Sequence, residues 1–118
     1  MVGIHIKKIT ATEMRSAGIY MVGYPGFIQE AHVKMELKVD EYYFEGVGNV
    51  SYGIAAHEIE KLEIGKATIK NAGACAIVFG RECKETIIDD LTIENCGTTP
   101  IQGENNIETF TVGKSNLG

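Results

Sequence analysis

The chain has no tryptophan, only two prolines, and no stretch approaching the roughly 18 apolar residues of a membrane span. Its opening residues, MVGIHIKK, lack the long apolar run of a signal peptide. Cationic excess is missing too: the net charge is -5. That disfavours a sequence-independent grip on nucleic acid or on an anionic membrane surface, both of which need a positive face. Neither partner is expected. The three cysteines, Cys75, Cys83 and Cys96, form no CxxC pair and cannot all pair within one chain. Free thiols point to a reducing, cytoplasmic-type compartment if the chain is complete, and a fragment of an exported protein would carry the same signal. No GxSxG, P-loop, dinucleotide fingerprint or HExxH is found. His5, His32 and His57 share no metal spacing, although His32 and His57 lie 25 apart. Neither a cofactor nor a metal is expected.

What the chain does have is glycine, fourteen residues of it, and short Ile- and Val-rich runs that favour strands. Its 118 residues suffice for one domain, spanning 1–118, which is either whole or a fragment of a longer solenoid. The runs repeat. Gly65–Gly73, GKATIKNAG, matches Asp89–Gly97, DDLTIENCG, at an offset of 24. The same offset aligns Ile59 with Cys83 and Ile107, Leu62 with Thr86 and Phe110, and Ile64 with Ile88 and Val112. Ala67 falls on Leu91, and Ile69 on Ile93 and Leu117. An earlier copy places Leu37, Val39, Tyr42 and Phe44 on Leu62, Ile64, Ala67 and Ile69, and a weaker one uses Ile4, Ile6, Ile9 and Ala11. A second short strand recurs at Ile19, Ile54, Ile77 and Ile101, but the step from Ile19 to Ile54 is not a whole number of repeats.

A unit this short cannot bury its apolar face alone; stacked on like units, it builds a continuous core. The charged positions obey the same register. Glu60 stacks on Lys84 and Glu108, Lys61 on Glu85, Lys38 on Glu63, and Glu45 on Lys70 and Glu94. Asp40–Glu41, Gly65–Lys66, Asp89–Asp90 and Gly113–Lys114 form a further set. Sign alternates from coil to coil, as attraction between neighbouring strands requires. Asn71 and Asn95 stack at a turn just before a glycine and are expected to take the left-handed conformation and to hydrogen-bond backbone in the next coil.

The TIxNxG element recurring at about 24 residues resembles the right-handed parallel β-helix repeat of the pectate-lyase-like superfamily. The expected fold is thus an all-β, right-handed parallel β-helix of about four coils. A rival α+β reading makes residues 33–50 a hairpin turning at Asp40–Glu41, and residues 51–62 a helix, but leaves the repeat unexplained. The resemblance covers most of the chain and speaks to architecture; the superfamily holds lyases, hydrolases, epimerases and phage tailspikes, so activity does not follow from the fold.

Catalysis on such scaffolds uses carboxylate pairs about 5–9.5 Å apart. Asp89 and Asp90 are the most conspicuous pair, but they sit on a turn facing Lys66 and Lys114, and ETIIDDLTI does not resemble polygalacturonase aspartate motifs. Glu58 and Glu82 stack at equivalent positions, with His57 and Arg81 adjoining. These six residues are the candidate catalytic or sugar-binding groups. On the second strand, the outward column is Tyr20, Ala55, Val78 and Gln102, without an acid or base. Two functions are therefore weighed: a non-catalytic assembly module that self-associates through its end coils or its Tyr20, Ala55, Val78 face, and, as the resemblance implies, a carbohydrate-binding or polysaccharide-processing protein.

Overall fold

A computed structural model describes residues 2–22, 35–97 and 99–117. Five long strands form one sheet: β1 (Val2–Met14), β3 (Met35–Gly46), β5 (Lys61–Lys70), β7 (Cys83–Glu94) and β9 (Ile107–Leu117), in that spatial order. Four short ones form the other: β2 (Ala17–Val22), β4 (Tyr52–His57), β6 (Cys75–Phe79) and β8 (Ile101–Gln102). Every pairing is parallel, and each strand pairs with its counterpart one turn on. This is a β-solenoid. From β3 to β9 it makes three turns of regular spacing, 25, 24 and 24 residues. The step from β1 to β3 is wider, with Val2 facing Met35. Among the described residues, the only helical element is a single 3-10 turn, Glu104–Asn106, and no helix is long and apolar enough to cross a membrane.

The expected apolar columns coincide with the hydrogen-bonded register. Ile4, Ile6, Ile9 and Ala11 pair with Leu37, Val39, Tyr42 and Phe44, and these with Leu62, Ile64, Ala67 and Ile69. Thr86, Ile88, Leu91 and Ile93 follow, then Phe110, Val112, Ser115 and Leu117. Between Val39 and Tyr42 the inward spacing is three rather than two, because the strand bends. Asp40 and Glu41 are exposed there, while the backbone runs on unbroken. The corner anticipated as a turn is a bend within one strand. Both elements of the α+β rival fail for the same reason: residues 35–46 are a single strand, and Tyr52–His57 is a strand because its neighbours above and below supply parallel partners. The hairpin's first two residues lie outside the described residues.

Ile19 does pair with Ile54, then Ile77 and Ile101. Because the first turn is wider, a simple multiple of 24 misses this match.

The core is the space between the two sheets. Tyr42 enters it from β3; burial pushes its phenol well above the ordinary range, and its hydroxyl donates to the Gly53 carbonyl at 2.6 Å. Phe79 and Phe110 meet edge to face with centroids 5.2 Å apart. The chain runs so tightly here that a Cβ on Gly53 would lie 2.6 Å from the Ala76 carbonyl oxygen. Thr86 occupies an otherwise apolar column, fully buried, with its hydroxyl unpartnered among the described residues.

The turns use left-handed backbone at residues other than glycine. Asn71 (φ 56°) and Asn95 (φ 52°) take the expected left-handed conformation, but the bond between coils joins their side chains and not a side chain to backbone: Asn95 Nδ2 donates to Asn71 Oδ1 at 2.9 Å. Glu58 (φ 54°) and Glu82 (φ 57°) do the same after the short strands. Glutamate seldom adopts this conformation, and nothing in its chemistry announces it. Only the shared 24-residue spacing gave a hint.

Candidate functional site

Three of the six candidate residues come together. β4 ends at His57, and the chain then turns through left-handed Glu58. One coil on, β6 ends at Phe79, and Gly80 and Arg81 lie beside them. Arg81 Nε donates to Glu58 Oε1 at 3.0 Å. The Arg81 backbone N–H donates to His57 Nδ1 at 3.2 Å, which fixes the ring proton on Nε2, 3.8 Å from that same Glu58 oxygen. Gly80 makes room for the ring, since a Cβ there would lie 2.1 Å from Nδ1. The glutamate side chain is only 8% exposed, against 68% for the arginine. Its Oε2 is buried and finds no partner among the described residues.

This geometry binds one coil to the next. The Glu58 backbone N–H donates to the Arg81 carbonyl, and the two side chains close the same turn from outside. A general acid or base must reach a substrate proton. Here one carboxylate oxygen is engaged by a guanidinium, and the other is enclosed by protein.

The other candidates lie elsewhere. Glu82 is exposed at the equivalent turn one coil further on. Asp89 and Asp90 stand at the outer bend of β7, on the long-stranded sheet, where Asp90 is in register between Lys66 and Lys114. The cluster and the aspartate pair therefore belong to different parts of the coil. His32 lies outside the described residues. Among the described residues no group of three His, Cys, Asp or Glu side chains is arranged to hold a metal. Cys83 is buried in its column, as its place in the repeat implied. Burial pushes the Cys75 thiol up to about 11 and raises that of Cys96, the direction opposite to a reactive nucleophile.

The outer side of the short-stranded sheet is the other candidate surface. Tyr20, Ala55, Val78 and Gln102 form one column in register, and Tyr20 is 71% exposed. β2, β4, β6 and β8 contain no Asp, Glu, Lys or Arg at all.

The fold and these surfaces define a class, the parallel β-solenoid. No family model, no curated protein and no solved structure matches the chain.

Proposed function

We propose that the chain is a structural assembly unit, a β-solenoid without chemistry of its own that associates with further copies of itself. The observation that carries this reading is the uncharged outer face of the short-stranded sheet, in a chain where 23% of residues are charged. A contiguous low-charge face on an otherwise charged surface marks a place that is covered in use. The edge strands add a second mode of contact. Among the described residues, each of β1 and β9 has one neighbour in its sheet, and the inward-facing Ile4 and Leu117 on them are 48% and 56% exposed. Such edges recruit another strand.

Light scattering across a concentration series tests the reading, with a rise in mean mass as the expected result. Val78→Lys separates the two modes: it dissociates an assembly built on the sheet face and leaves one built on the edges intact. A chain that stays monomeric and binds or cleaves a polysaccharide would displace this reading with the carbohydrate one.

A further inference from the structure

The uncharged face also indicates how two copies meet, an inference that rests on the self-association reading. Along the solenoid axis its central column runs Tyr20, Ala55, Val78, Gln102. The hydrogen-bonding side chains stand at the two ends, with a small and a larger apolar residue between them. Two-fold contacts oppose a patch to itself. If the solenoids run parallel, each residue meets its own copy. Ala55 then faces Ala55 across a gap, and Tyr20 faces Tyr20. If they run antiparallel, Tyr20 meets Gln102 and Ala55 meets Val78, at both ends of the contact. The second arrangement fills the gap beside alanine and gives the tyrosine hydroxyl and glutamine amide each a partner, as a buried polar group requires.

We infer that this face is a two-fold interface between antiparallel copies, with Tyr20 of one set against Gln102 of the other. No Asp, Glu, Lys or Arg on the face's strands opposes the approach, and their one basic side chain is His57 at the end of β4. Four strands at about 4.8 Å spacing, crossed by strands of up to six residues, give a face roughly 20 Å on a side. That is about half the roughly 800 Å² per partner of a standard interface, so the dimer is weak and exchanges freely.

Cross-linking captures such a dimer. Tyr20→Cys and Gln102→Cys are made separately, each with Cys96→Ser to remove the partly accessible native thiol, and circular dichroism checks that each folds. Under mild oxidation the mixture of the two is expected to give several-fold more disulfide-linked dimer than either alone. Equal cross-linking of one variant by itself would overturn the antiparallel arrangement in favour of the parallel one. If nothing cross-links while light scattering still reports oligomers, the edges carry the assembly; the inference falls and self-association stands. A chain that stays monomeric across the whole concentration series removes both.

Discussion

The two sheets hold the same coils in register by different means. The long-stranded sheet has ten to thirteen residues per strand and two kinds of marker. Inward, it stacks Ile, Leu, Val and aromatic side chains. Outward, it stacks opposite charges, most completely in the column Lys8, Glu41, Lys66, Asp90, Lys114. The short-stranded sheet has strands of two to six residues, no charge, and one principal apolar column, Ile19, Ile54, Ile77 and Ile101. A one-residue slip in the long sheet would turn its apolar set outward and set its charges out of step. The turns join each short strand to a long one, so the long sheet specifies the stack and the short sheet follows. That leaves the outer face of the short sheet free of register duties.

Substitutions can break or sharpen this contrast. Ile88 is fully buried between Ile64 and Val112 in the long sheet. Ile88→Ala is expected to cost ~2–5 kcal/mol in denaturant unfolding, as truncations in packed interiors do. A near-neutral result would mean that the long sheet does not carry the stack. In the short sheet, the tight approach at Gly53 makes Gly53→Ala an overpacking change, expected to cost ~1–3 kcal/mol by the same measurement. Thr86→Val keeps the shape of a buried position in the long sheet and removes a hydroxyl that, unlike that of Tyr42, has no partner among the described residues. It is expected to raise stability by ~1 kcal/mol, with a higher midpoint and an unchanged denaturant slope. The smallest effect belongs to the charges. Lys84 lies 3.3 Å from Glu108, both mostly exposed. A double-mutant cycle on that pair is expected to return a few tenths of a kcal/mol, at most ~1. Strict additivity would reduce the charge columns to solubility.

Much of this is legible in the sequence, because a solenoid writes its contacts at a fixed sequence offset. Ile64, Ile88 and Val112 could be stacked by counting. The charge columns came the same way, with one refinement: Lys84 bonds Glu108 on the following coil, although Glu60 had been placed equally on its other side. The Ile19–Ile54 match came from the recurring strand pattern and not from counting, because the wider first turn breaks the regular spacing. Two features escaped. The bend at Asp40–Glu41 read as a turn, because paired polar residues break the two-residue alternation whether the chain bends or reverses. The left-handed conformation of Glu58 and Glu82 follows from their place in the coil, and no propensity of glutamate foretells it. For the candidate site, proximity of His57, Glu58 and Arg81 was visible in the offset, while burial of the Glu58 carboxylate, which makes it a fastening between coils, needed the packing.

The alternating column carries a rule about length. The side chains repeat every coil in shape but every second coil in charge. Removing a single coil, residues 61–84, would bring Glu36 onto Glu85, Glu41 onto Asp90 and Glu45 onto Glu94, acid upon acid at three places. Removing or inserting two coils together would keep the Lys8, Glu41, Lys66, Asp90, Lys114 column alternating in sign. A lineage that lengthens or shortens this solenoid by copying segments therefore meets least resistance in steps of about 49 residues, and its smallest interchangeable part is a pair of coils.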